Sequence, residues 1–186
     1  MGQLTQPSPV KLIIGLLGQN QEILEETRKH LAVLYGKEEE ILSAIPFIWT
    51  NYYEQEIGTS PVRSFIAYEN LIPRMSIVDI KRKTNELENK LCKKGLRPVN
   101  IDPGYMTLGQ FFLATTKDQR QRVYLGKGIF LEVTLFFKDG NFHPFNWTYR
   151  DYQSDKYLTY FLKVRSKLAY QLRNGRPYSQ RKARSL

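Results

Sequence analysis

Ten consecutive residues, Ile129–Lys138 (IFLEVTLFFK), alternate in two registers at once and leave room for little but a β-strand. Ile129, Leu131, Val133, Leu135 and Phe137 form one apolar face. Phe130, Glu132, Thr134, Phe136 and Lys138 form the other. Asp139-Gly140 then supplies a tight turn and Asn141–Phe145 a returning strand. Arg122–Leu125 before Gly126-Lys127-Gly128 adds a third strand, so this part of the chain reads as an antiparallel meander.

The earlier chain mixes strands with helices. Val10–Leu17 (VKLIIGLL) is a fully buried strand, and Asn20 caps a helix over Gln21–Tyr35 that Gly36 ends. Glu38, Glu39 and Glu40 read as a short acidic turn, and Ile41–Trp49 as an irregular or edge strand because it holds Pro46. Val62–Glu69 alternates as a half-buried strand. Ser76 and Asp79 have the spacing of a capping box for a helix to about Lys93. Arg97–Asp102 is a short strand that Pro103-Gly104 ends, and Thr107–Ala114 reads as a short helix. Ser154 or Asp155 caps a last helix to about Arg173, stopped by Gly175 and Pro177.

The order is βαββαβ, a short helix, the meander and a helix. It predicts an α+β two-layer sandwich, with a ferredoxin-like core, a mostly antiparallel sheet and helices on one face. Residues 1–9 are expected to be a flexible N-terminus, 10–174 one domain and 175–186 a basic flexible tail.

Charge separates along this plan. Residues 1–155 carry 19 basic and 18 acidic side chains, whereas 156–186 carry nine basic and none acidic. Nearly all of the net charge of +10 thus sits on the last helix and tail, a handle for polyanions rather than evidence of a nucleic-acid-binding body. Arg173, Arg176, Arg181, Lys182 and Arg184 are the candidate nucleic-acid contacts, and the aromatic residues among them would stack on bases. The bland alternative is a solvated helix face whose rings pack on the core.

Absences narrow the chemistry. Cys92 is the single cysteine, so no intramolecular disulfide and no thiolate-rich zinc site forms; a reducing cytoplasm is the expected compartment. No signal pattern opens the chain, and Leu12–Leu17 is far too short to span a membrane. Two histidines, His30 and His143, exclude a His-rich metal site. Neither a phosphate loop nor a G-x-S-x-G elbow is present.

Four segments carry candidate polar sites. Glu132 and Thr134 lie among aromatics on one strand face; the alternative is that Glu132 pairs with a neighbouring cation. Asn100 and Asp102 sit at a strand end, where Asp102 either meets a ligand or bonds its own turn. Thr115-Thr116-Lys117-Asp118 could handle a phosphate, but a polar loop at a helix end is the stronger reading. Tyr52, Tyr53, Glu54 and Glu56 could line a cleft. Any metal would be oxygen-bound Mg²⁺ on Asp102, Glu132, Glu54 or Glu56.

Several strings in order, Lys11–Leu17, Thr84–Glu88, Asn100–Tyr105, Leu113–Asp118, Tyr124–Ile129, Glu132–Leu135 and Trp147–Tyr149, resemble a prokaryotic family catalogued as domain of unknown function 4416. The resemblance covers about Val10–Leu172. It implies a compact cytoplasmic domain but no activity, cofactor or catalytic residue. Some members carry a GTP-binding label, which the absent phosphate loop does not support here.

The resulting expectation is a domain that binds a phosphorylated ligand, a nucleotide or RNA, through Asn100, Asp102, Lys117, Glu132 and Thr134, with the basic C-terminus assisting. The alternatives are an Mg²⁺-dependent phosphate enzyme using Asp102 and Glu132, and a protein adaptor using the sheet face around Phe130 and Phe136.

Overall fold

The computed structural model describes residues 2–92 and 95–175. It is a mixed α+β structure with one curled antiparallel sheet. The elements are β1 (Val10–Gly18), α1 (Gln21–Tyr35), β2 (Glu38–Pro46), α2 (Glu54–Ile57), β3 (Val62–Ile72) and α3 (Ser76–Leu91). They continue as β4 (Val99–Met106), β5 (Gln110–Thr115), β6 (Arg122–Gly126), β7 (Ile129–Lys138), β8 (Asn141–Pro144), a 3-10 turn (Arg150–Gln153) and α4 (Asp155–Asn174). The strands lie in the order β2-β3-β1-β4-β5-β7-β6. On β7, β6 pairs with the first part and β8 with the last.

The sheet is covered on both faces. Leu12, Ile14 and Leu16 of β1 pack with Leu24 and Leu31 of α1 and Ile77, Ile80 and Leu87 of α3. Ile13 of the same strand, with Phe65 and Ala67 of β3, packs instead against Tyr157, Phe161, Val164 and Leu168 of α4. The expected two-layer arrangement is therefore corrected to helices on either side. The cause is that β1 and β3 are apolar on both faces, and each face needs a cover. Phe161 meets the rings of Phe65, Phe111 and Tyr152, so truncating it to Ala would cost about 3–5 kcal/mol.

Other expectations are corrected locally. Thr107–Ala114 is no helix: Thr107 N–H donates to Gln110 O, which makes a tight hairpin between β4 and β5. The three glutamates Glu38, Glu39 and Glu40 belong to strand β2, because Arg28, Lys11 and Lys167 each pair with one of them. Residue Met75, not Ser76, precedes α3 without a side-chain cap, and Asp79 pairs with Lys127 at 2.9 Å. The faces of β7 also exchange partway. Ile129 and Leu131 pack under α1 and α3, whereas Leu135 and Phe137 pack under α4. The pairing of β5 with β7 skips Thr134, and such a bulge turns alternation over.

One topological event makes the functional geometry. The β4–β5 ladder holds only at Gly104↔Leu113, Tyr105↔Phe112 and Met106↔Phe111. Before Gly104 the strands part. Pro103, with no N–H to give, stands at the first position past the ladder. At Gly104 itself an added Cβ would overlap the backbone oxygen of Phe112, so only glycine lets the strands close here. Asp102 consequently lies inside β4, which runs through Pro103-Gly104, rather than at a strand end.

Candidate site in the split between β4 and β5

A cleft of about 800 Å³ occupies the split. Asn100 and Asp102 reach it from β4, Thr115–Lys117 from the end of β5, and Arg122 and Glu132 from β6 and β7. Lys81 and Glu88 enter from α3, Trp49, Thr50, Tyr52, Tyr53 and Glu56 from the segment after β2, and Arg150–Tyr152 from the 3-10 turn. Four segments that the sequence singled out separately thus meet in one place.

Its centre is Arg63 of β3, a guanidinium only 4% exposed. Nη1 donates to Asp102 Oδ2 at 3.3 Å and Nη2 to Asp151 Oδ2 at 3.2 Å. The guanidinium carbon lies 5.3 Å from the Phe47 ring and 6.0 Å from the Tyr152 ring. Burial without partners would make such a cation intolerable; two carboxylates and the ring faces supply the compensation. Asn100 Nδ2 also donates to Asp102 Oδ2, at 2.6 Å. Lys81 Nζ donates to the Ile101 carbonyl at 2.8 Å and stands 3.9 Å from Asp102 Oδ1.

The two aspartates titrate in opposite directions. Burial works against ionising Asp102, but Lys81 and Arg63, with the Asn100 hydrogen bond, outweigh it and hold the carboxyl below its usual range. Asp151 is pushed up by burial, which Arg63 only partly offsets and Asp102 reinforces. Burial likewise raises Glu88, which pairs with Arg97 at 2.8 Å, and lifts Tyr53 to about 12. Arg97 also reaches Glu56 at 2.7 Å, tying the segment after β2 to α3.

Of the residues expected to form the site, Asn100, Asp102, Lys117 and Glu132 line this cleft, as do Tyr52, Tyr53 and Glu56. Glu132 is closed against Arg122 at 2.9 Å, the cross-strand pairing that was the plain alternative for it. Thr134 does not line the cleft; it is fully buried at the β7 bulge, and its carbonyl accepts from Thr148. Glu54 borders a different hollow beside α1. Arg173 is exposed near the end of α4, away from the cleft lining. Arg176, Arg181, Lys182 and Arg184 lie outside the described residues.

Arg63, Asp151 and Arg97 were not anticipated. For Arg63 a signal existed: an arginine on the same strand face as Phe65 and Ala67 is buried and must find anionic partners. Asp151 follows Tyr149-Arg150 with no pattern to mark it.

Four cleft cations, Arg63, Lys81, Arg97 and Arg122, are ion-paired. Lys117 and Arg150 have no carboxylate partner among the described residues. Lys117 Nζ lies 5.4 Å from the Tyr52 ring centre, and Arg150 follows Tyr149. Trp49, Tyr52 and Tyr149 are 43%, 64% and 53% exposed. The cleft therefore offers a neutralised floor beneath two open cations and three open rings. Among the described residues no three His, Cys, Asp or Glu side chains group to hold a metal, and no helix is long and apolar enough to cross a membrane.

The family model for a domain of unknown function, DUF4416, matches residues 8–168. No curated protein and no solved structure matches the chain.

Proposed function

The chain belongs to the DUF4416 family, and from the geometry of its cleft we propose that it binds a phosphorylated ligand bearing a planar ring, a nucleotide or a nucleotide unit of RNA. One observation carries this reading. The only cleft cations left without a carboxylate among the described residues are Lys117, whose Nζ lies 5.4 Å from the ring centre of the exposed Tyr52, and Arg150, which follows the exposed Tyr149 in sequence and lines the same cleft. Open cations suit phosphate and open rings suit a base. Asn100 and Asp102 would serve the sugar or the base edge from the floor, with Glu132 one layer behind on Arg122.

The basic C-terminus, Arg173 with Arg176, Arg181, Lys182 and Arg184, would assist capture of a polyanion. A cytoplasmic setting suits such a ligand. Strands β2-β3-β1-β4, antiparallel with α1 and α3 packed on one face, support reading the first part of the chain as a ferredoxin-like core extended by β5–β8 and α4.

Binding is favoured over Mg²⁺-dependent phosphate chemistry at Asp102 and Glu132. Asp102 already faces the cations Arg63 and Lys81, and Glu132 faces Arg122, which opposes a divalent ion between them; the depressed Asp102 carboxyl is also a weak general base. The test is calorimetric titration of nucleoside monophosphates into the full chain and into a K117A/R150A variant. Each lost charge-assisted bond should cost about 1.5–3 kcal/mol of affinity without lowering the melting temperature. Equal binding by the variant, or none by the wild type, would overturn the reading.

A further inference from the structure

The cleft holds more open rings than a single base can use. A planar base has two faces, yet Trp49, Tyr52 and Tyr149 are all open. Rings and cations also come as two units on separate segments. Tyr52 with Lys117 forms one, the ammonium 5.4 Å from the ring centre; Tyr149 and Arg150, consecutive in sequence, line the cleft from the start of the 3-10 turn. Arg63 lines the same cleft, 5.3 Å from the Phe47 ring centre and 6.0 Å from that of Tyr152. The cleft volume, about 800 Å³, is at the large end for a small-ligand site.

Asp102 lines the same cleft, and its two oxygens are not equivalent. Oδ2 accepts from both Arg63 and Asn100, at 3.3 and 2.6 Å. No hydrogen bond from a described residue reaches Oδ1, and Lys81 Nζ stands 3.9 Å from it, beyond a hydrogen bond. The side chain is 27% exposed, against 4% for Asp151, 7% for Glu88 and 3% for Glu132. Of the carboxylates lining the cleft only Glu56, 48% exposed and paired with Arg97, is more open, so Asp102 is the open acceptor of the floor.

Building on the nucleotide reading above, we infer that the cleft takes two consecutive nucleotides of single-stranded RNA. One base stacks at Tyr52 and the next at Tyr149; Lys117 and Arg150 meet their phosphates; a ribose 2′-hydroxyl between them donates to Asp102 Oδ1. The 2′-hydroxyl is the group by which a protein tells RNA from DNA.

The test uses the full chain with three probes at one salt concentration: adenosine monophosphate, the 5′-phosphorylated diribonucleotide of adenosine, and its deoxyribose counterpart. The diribonucleotide should bind at least about 5-fold tighter than the monophosphate, the gain from stacking one more base, and tighter than the deoxyribose form. Y52A and Y149A should each weaken it about 5- to 100-fold at unchanged melting temperature, and Y52F and Y149F should restore it. A monophosphate that binds as tightly as the diribonucleotide, no preference for ribose, or either Tyr→Ala variant with wild-type affinity would overturn the two-nucleotide inference and leave the nucleotide reading intact. No binding of any probe would end both.

Discussion

Asp102 and Asp151, one on a sheet strand and the other on a 3-10 turn, share the single buried guanidinium of Arg63, Asp102 through Nη1 and Asp151 through Nη2. The arrangement ties β3, β4 and the entry to α4 together at the base of the cleft. It also makes each partner dependent on the others, because a buried charge is tolerated only while it is compensated.

Removing the cation should therefore be costly. R63M keeps much of the volume but leaves two carboxylates facing each other in a poorly solvated place. Loss of one member of a buried pair typically costs about 3–5 kcal/mol. Urea unfolding of R63M should show a loss of this size, and a loss below about 1 kcal/mol would mean the carboxylates are solvated rather than held.

The opposite shifts of the two aspartates give opposite pH dependences. Asp102 has a depressed carboxyl, so its contribution is present above the unfolded value, about 3.9, and is lost as pH falls through the folded one. Asp151 has a raised carboxyl: its protonated form suits the fold, and stability is lost as pH rises from about 3.9 through the raised value. D102N should flatten the acid limb of a stability–pH curve. D151N should flatten the loss on its neutral side. Curves in which both variants flatten the same limb would contradict this assignment.

The chain's local signals were clear where neighbouring residues decide the structure. Asn20 caps α1 through Ile23 N–H, as its position suggested, and Asp139-Gly140 turns with positive φ at both residues. They were silent where register decides. The alternation of β7 cannot announce that its partner β5 skips Thr134, so Glu132 and Phe136 could not be told to lie on different faces. The run Phe111–Ala114 is too short for periodicity to separate helix from strand. Pro103-Gly104 reads as a stop, and only the absent ladder partner makes it permissible inside β4. Half of the cleft was in view through Asp102, Lys117 and Tyr52, but Asp151 depends on a contact 88 positions away in sequence.

Gly104 is the narrowest point of that design. An added methyl would meet the Phe112 carbonyl, which is backbone and held in the β4–β5 ladder, and the neighbouring Phe111 ring. G104A should destabilise by about 1–3 kcal/mol, the usual cost of overpacking, and widen or close the split. Hydrogen exchange should show faster exchange at Phe111–Leu113 in the variant. Unchanged exchange there would show that the strands separate for another reason.

Glu132 decides between structure and ligand contact. Its pair with Arg122 is directly cross-strand and almost wholly buried, 4% and 3% exposed. If the pair is chiefly structural, E132L and R122L should each lose about 3–5 kcal/mol, because each leaves a buried charge alone. The double variant should then recover most of that loss, since replacing both charges by apolar groups removes the desolvation penalty as well as the attraction. Ligand affinity would follow stability in all three. A different pattern, with stable single variants and affinity lost only where Glu132 is replaced, would move this carboxylate to the ligand surface. It would also return the phosphate-chemistry reading to the front, because a carboxylate not committed to its cation would then stand in the same cleft as Asp102.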